Sequence, residues 1–159
     1  MQNLSTYEGL TIVIKETNAI SKVVLKNGVI FKTSPKYLSD NEEHFLRRVY
    51  LHTEYGHHYV PHVLGRVDVE TIRMNYFEPL DITDVDEFMS HLPIVVAILE
   101  EAGIRHGDLT EYAVIPHNNR PIIIDFAEAR WISDPIPSKR PEPDAVLLER
   151  AMRKLCMKL

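Results

Sequence analysis

The sequence predicts an α+β chain in which five strands gather around one helix and a mainly helical half follows, with a seam near residue 79. Three observations carry this reading. The first third holds short β-branched apolar runs separated by turn residues. One amphipathic stretch, carrying Phe45, Leu46, Val49 and Leu51, interrupts those runs. Beyond the seam, helix-length patterns at 84–103 and 145–158 flank one small hairpin.

Taken in order, Leu10–Ile14 is a β-branched strand candidate and Thr17–Ser21 a polar break. Lys22–Leu25 and Val29–Lys32 flank Asn27-Gly28, the strongest short hairpin signal. Pro35 closes this three-stranded meander. Ser39 or Asp40 can then cap a helix with Glu42 and Glu43 in its first turn, ending before Gly56. Val60–Val69 and Thr71–Phe77 read as two more strands, and Glu78–Asp81 as the crossover. Asp84–Gly103 reads as helical, with a break near Pro93 and Gly103 just past its end. Ala113–Ile115 and Pro121–Asp125 form a hairpin around His117–Arg120. Four prolines make Ser133–Pro143 a rigid, irregular connection, after which Asp144 caps a closing helix, Ala145 to about Lys158.

The 159 residues suit one domain or two small lobes sharing a core. With 45% apolar and 26% charged residues the chain is of ordinary globular composition, which argues against disorder or a coiled coil. The single cysteine, Cys156, excludes an internal disulfide and fits a reducing compartment. The opening Met1–Glu8 has neither a basic nor an apolar signal region. The longest strong apolar run, Leu92–Leu99, has eight residues, against about 20 for a membrane helix. The expectation is a soluble cytoplasmic protein with no membrane partner. A net charge of −5 argues against a wide nucleic-acid footprint. The basic residues near the end (Lys139, Arg140, Arg150, Arg153, Lys154, Lys158) read first as a solvated helix face, second as a patch for a partner or for RNA.

The chemistry concentrates in His106-Gly-Asp-Leu-Thr110 and Ile122-Ile-Ile-Asp125-Phe126. An apolar run ending in Asp125 puts a carboxylate at a strand end, while Asp108 sits on a loop after a helix. The intervening hairpin brings the two toward one another. Such a pair suits a magnesium ion with a phosphate on one carboxylate and a hydroxyl nucleophile on the other. The plain alternative is a helix-capping aspartate and an unrelated strand-end aspartate.

These two segments resemble the catalytic and metal-binding loops of protein-kinase-like proteins, most nearly the RIO kinases and the small atypical kinase of the KEOPS tRNA-modifying complex. Asp144-Ala-Val-Leu-Leu-Glu-Arg-Ala151 is similar to the closing helix of the KEOPS kinase. The resemblance covers roughly residues 10–155. It implies a minimal bilobal kinase-like fold, with an N-lobe over 1–78 and a truncated C-lobe over 79–159. It implies an ATP-dependent phosphotransferase, or mainly an ATPase, that uses magnesium or manganese and acts on serine or threonine of a protein. Lys32 would neutralise the nucleotide phosphates and Glu42 would hold Lys32. Glu42 shares a face with Phe45, Leu46 and Val49, and Glu43 is the runner-up. Met74 would be the gatekeeper, with Asn75, Tyr76 and Phe77 meeting the adenine edge. Asp108 would be the catalytic aspartate and Asp125 the metal ligand. His106 would hold the loop, and Asp144 would brace it or simply cap its own helix.

Three departures from the family pattern bear on activity. Ala113 stands where the kinase loop has a metal-binding asparagine, and Asn118 and Asn119 lie a hairpin arm away. Ala127 replaces the glycine of Asp-Phe-Gly, and Thr17–Ser21 contains no phosphate-cradling glycine. They open a rival reading, a pseudokinase that binds nucleotide or a protein partner without transferring phosphate. Asp125-Phe-Ala-Glu-Ala129 also fits small-molecule kinases. The 33 residues after Phe126 leave no room for their helical lids, nor for a long activation segment. His57, His58 and His62 match no closed zinc pattern and read as a solvated loop.

Overall fold

The computed structural model describes residues 11–17, 21–135 and 140–158. It opens with β1 (Thr11–Thr17), β2 (Ser21–Lys26) and β3 (Val29–Thr33). β1 runs past the expected end at Ile14; Leu10 and most of the Thr17–Ser21 break lie outside the described residues. The β2–β3 turn is the two-residue hairpin expected. Asn27 and Gly28 both have positive φ, 51° and 75°, as a type I′ turn requires.

Helix α1 (Lys36–His52) starts earlier than the sequence suggested, with Pro35 at its boundary and no side chain capping it. A proline's fixed φ already suits the entry to a helix. The capping roles expected of Ser39 and Asp40 therefore fail. Ser39 is buried and bonds the Ser34 and Glu70 carbonyls at 3.2 and 2.8 Å. Asp40 pairs with Lys36 and Arg66. The first turn holds no acidic residue, so neither Glu42 nor Glu43 serves the helix dipole there. Instead Glu42, Phe45, Leu46 and Val49 form the buried face, and Glu43 turns toward Arg47 and Arg66.

β4 (Val63–Arg66) and β5 (Thr71–Asn75) complete an antiparallel sheet of order β1-β2-β3-β5-β4. Both are shorter than the strands expected at Val60–Val69 and Thr71–Phe77. A 3-10 turn at Gly56–His58 and Pro61, which lacks an amide, delay the start of β4. Asn75 ends β5 by exchanging bonds with His62, side-chain oxygen to amide at 2.6 Å and amide to carbonyl at 3.2 Å.

The second half contains α2 (Val85–Ser90) and α3 (Leu92–Ala102), separated where Pro93 entered the pattern. Asp84 caps α2 by accepting from the Glu87 amide at 3.0 Å. Gly103 ends α3 with φ 74°, a left-handed position that disfavours a Cβ. A two-residue strand, β6 (Ile104–Arg105), leads into the loop carrying Asp108. β7 (Val114–His117) and β8 (Arg120–Ile123) form the expected hairpin, its turn built by Asn118 and Asn119 at φ 51° and 57°. β9 (Arg130–Trp131) then pairs back onto β6, a ladder too short to leave a sequence period. Residues 136–139 of the proline-rich connection lie outside the described residues. α4 (Asp144–Cys156) begins after Pro143, so Asp144 is its first helical residue and does not cap it.

One buried cluster joins the two halves. Phe45, Leu46, Val49, Ile72 and Met74 beneath the sheet meet Phe88, Leu99, Leu148 and Met152 among the helices. Each such side chain contributes roughly 1.5–3 kcal/mol by leaving water. The hairpin is also tied to the sheet side: the Ile123 amide donates to the Tyr59 carbonyl at 2.7 Å. Among the described residues, no helix is long and apolar enough to cross a membrane.

Candidate active site

A largely apolar cavity of about 290 Å³ lies between the sheet and the β7–β8 hairpin. Val23 and Ile30 line one wall, and Val114, Ile115 and Ile124 the other. Met74 is buried at its back, and Asn75, Tyr76 and Phe77 pass along its edge. Lys32, Glu42 and Asp125 line it too and supply its charge. All the cofactor-binding candidates of the sequence thus border one space.

Lys32 lies on β3 opposite Ile72 of β5, and the sheet carries its ammonium into the core. Its Nζ stands 2.8 Å from Glu42 Oε1 and 2.9 Å from Asp125 Oδ1. The other Glu42 oxygen accepts from the Phe126 amide at 2.9 Å. One carboxylate, only 1% exposed, therefore binds the lysine and fixes the backbone beside Asp125. Burial opposes the charge on Lys32, yet Glu42 and Asp125 outweigh it and hold its pKa above the ordinary lysine range. Asp125 itself lies just beyond β8 at φ 67°, a strained conformation for a non-glycine residue. Its side chain remains 28% exposed, open enough to meet a ligand.

The Asp108 loop hangs on His106, which is fully buried. Its Nδ1 accepts from the Asp108 amide at 3.1 Å and its Nε2 donates to the Ile124 carbonyl at 2.8 Å. This pattern places the ring proton on Nε2 and ties the Asp108 loop to the Asp125 segment. The His106 amide donates to Asp144 Oδ2 at 2.8 Å. Of the two roles open to Asp144, the geometry is that of a brace across to the loop. Phe126 packs edge-on against the His106 ring at 4.7 Å.

Ala113 is only 2% exposed, and its carbonyl accepts from the Ile124 amide at 2.9 Å. It offers no side-chain oxygen. Asn119 bonds the Thr83 and Asp84 amides and the Thr83 hydroxyl, so it serves the hairpin and not this corner. Asp125 is the metal-ligating candidate at the cavity. A single hard carboxylate, joined by phosphate oxygens and waters, fits one magnesium ion. Among the described residues no group of three His, Cys, Asp or Glu side chains could hold a metal on its own. The His57 and His58 rings lie 4.1 Å apart, and His62 stacks on Tyr50.

Two residues, Asn41 and Arg105, escaped the sequence reading, and Arg140 entered it only as a member of a basic cluster. Asn41 donates to the Ala127 and Ala129 carbonyls, both at 2.8 Å, and so holds the segment after Phe126 against α1. Arg105 and Arg140 meet beside Asp108, where Arg140 Nε donates to Asp108 Oδ1 at 2.9 Å. Only the adjacency of Asn41 to Glu42 was a signal. The basic residues read as one cluster are paired with acids: Arg150 with Glu142, Arg153 with Glu149, and Lys154 and Lys158 with Glu111, while Lys139 lies outside the described residues.

A profile of the RIO domain matches residues 54–156 of the chain. Among solved structures, the chain resembles one described as the co-crystal structure of WbdD and kinase inhibitor LY294002. The likeness covers 89% of this chain and 44% of that one, at 16% identity and a TM-score of 0.57. At that identity it speaks to the fold alone, and the chain spans less than half of that structure's length. No curated protein matches the chain.

Proposed function

The chain belongs to the RIO family of kinase-like proteins, and from that premise we propose that it is an ATP-dependent phosphotransferase acting on a serine or threonine of a protein. The observation that carries this reading is the buried Lys32 held between Glu42 and Asp125 beside an apolar cavity. A lysine fixed there is poised to neutralise phosphates, and the cavity suits an adenine ring. Met74 would form the back wall, and the backbone of Asn75–Phe77 would meet the adenine edge.

Asp125 would hold a magnesium or manganese ion, which neutralises phosphate charge when bound. Asp108 would orient the acceptor hydroxyl and receive its proton. The acceptor oxygen bonds to the γ-phosphorus as the bond to the bridging oxygen of ADP breaks, and ADP leaves with that electron pair. Glu42 positions Lys32, and His106 positions both loops.

Ala113 supports a second reading, a pseudokinase that binds nucleotide or a partner protein without transfer. Thermal shift followed by a radiolabelled phosphate-transfer assay separates the two. At 100 Kd, magnesium-ATP stabilises by about 2.7 kcal/mol, which for a chain of this size raises Tm by roughly 5–10 °C. Asp125→Ala should remove most of that gain. Asp108→Asn should keep it and lose transfer. A wild-type shift with no transfer or hydrolysis favours the pseudokinase, and no shift at millimolar nucleotide sinks both nucleotide readings.

A further inference from the structure

The Arg140–Asp108 contact is built from the backbone. One guanidinium nitrogen of Arg105, at the end of β6, donates to the carbonyls of Arg140, Pro141 and Glu142 at 3.0, 2.9 and 2.7 Å. Pro141 and Pro143 stiffen the same segment. Arg140 is thereby delivered onto the Asp108 loop from far along the chain. That loop, His106-Gly-Asp-Leu-Thr-Glu-Tyr-Ala113, contains no lysine or arginine of its own. Lys32 is already shared between Glu42 and Asp125. Phosphate transfer would bring several negative phosphoryl oxygens to a site that holds the Asp108, Asp125 and Glu42 carboxylates. Even with one divalent ion on Asp125, the phosphate and carboxylate charges there exceed those of Lys32 and the metal, so a further cation on the phosphoryl group is favourable.

We propose that Arg140 is that cation: a phosphate-binding residue that rests on Asp108 and moves to the terminal phosphoryl group of bound ATP. The proposal rests on the phosphotransferase reading above and assigns a residue to it. A guanidinium fork suits a carboxylate and a phosphate alike. The Arg140 side chain is 38% exposed and that of Asp108 23%. Ion pairs with this much exposure are weak, so exchanging one anion for another is inexpensive. The exchange also takes the guanidinium off Asp108 Oδ1, the oxygen that would meet the acceptor hydroxyl. As the acceptor oxygen bonds to the γ-phosphorus and the bond to ADP breaks, the hydroxyl proton passes to the carboxylate that Arg140 has left.

The test compares the full wild-type chain with Arg140→Ala, Arg140→Lys and Arg105→Ala. Two quantities are read: the Kd values of magnesium-ATP and magnesium-ADP, and turnover by ATP hydrolysis or autophosphorylation. Arg140→Ala should weaken ATP about tenfold, leave ADP unchanged and lower turnover about 100-fold, the scale of one lost charge-stabilising donor. Arg140→Lys should recover part of both losses, and Arg105→Ala should reproduce the selective loss of ATP. Equal ATP and ADP affinities and equal turnover in wild type and Arg140→Ala would overturn the proposal. Faster turnover in Arg140→Ala would overturn it too, making Arg140 a plug over Asp108. The two failures are distinguishable. A wild-type chain that binds neither nucleotide removes the phosphotransferase reading and this inference together. A wild type that turns over, loses activity in Asp108→Asn and ignores Arg140→Ala removes only the inference.

Discussion

Replacing Lys32 by methionine tests the link between the fold and the charged end of the cavity. The change keeps the length of the side chain and deletes its ammonium. Asp125, 28% exposed, can rehydrate, but Glu42, at 1%, cannot. The cost is therefore that of stranding one buried carboxylate, about 3–5 kcal/mol. At about 2–4 °C per kcal/mol for a chain of this size, Tm should fall by roughly 10 °C. Adding Glu42→Gln to Lys32→Met removes the stranded charge and leaves the Phe126 amide an acceptor. The double variant should thus lose less than the sum of the single ones, by roughly 1–3 kcal/mol. Urea denaturation of all four proteins at pH 7 measures this. The sign with pH is also determined. The Lys32 pKa is raised in the folded state. Its stabilisation is complete below the unfolded lysine value of about 10.4 and declines as pH rises through the folded value. Lys32→Met should lack that alkaline decline. Single-variant costs that add within about 0.5 kcal/mol, or a Lys32→Met cost below about 1 kcal/mol, would refute the account of Glu42 as a carboxylate dependent on Lys32.

Three further outcomes are expected. Burial and the nearby Arg120 hold the His91 pKa below its usual value. The unfolded chain then binds the proton more readily, so stability should drop as pH falls below about 6.5, and His91→Gln should flatten that slope in urea titrations. Ala113→Asn would add the amide missing from the kinase pattern, but into a fully packed position. It should cost about 1–3 kcal/mol in urea denaturation and bring no gain in turnover. Burial raises the Cys156 thiol, with Arg153 opposing it. Alkylation by iodoacetamide at pH 7.5 should therefore be several-fold slower in the folded protein than in urea, as read by mass spectrometry.

The sequence by itself determined what short-range chemistry encodes. Asn27-Gly28 demanded a hairpin because two left-handed residues in a row suit few other structures. Pro93 divided α2 from α3, and Gly103 ended α3, through their fixed or permissive φ. Helical spacing put Glu42, and not Glu43, on the face of Phe45 and Leu46. The His106-Gly-Asp108 loop and the apolar run ending in Asp125 marked the candidate site. Only the tertiary structure decided the rest, because contacts between distant residues have no period in the chain. Ser39 lost its expected capping role to the Ser34 and Glu70 carbonyls that it bonds inside the fold. The β6–β9 pairing, the reach of Asp144 to His106 and the Asn41 bonds to Ala127 and Ala129 join segments with no shared local signal. The sequence marked Ala113 only as a departure from the kinase pattern; its burial under the Ile124 amide is a tertiary fact. Arg140 read as one member of a basic surface cluster. Its place on Asp108 follows from three backbone carbonyls that Arg105 gathers, and those exist as a set only once the chain has folded.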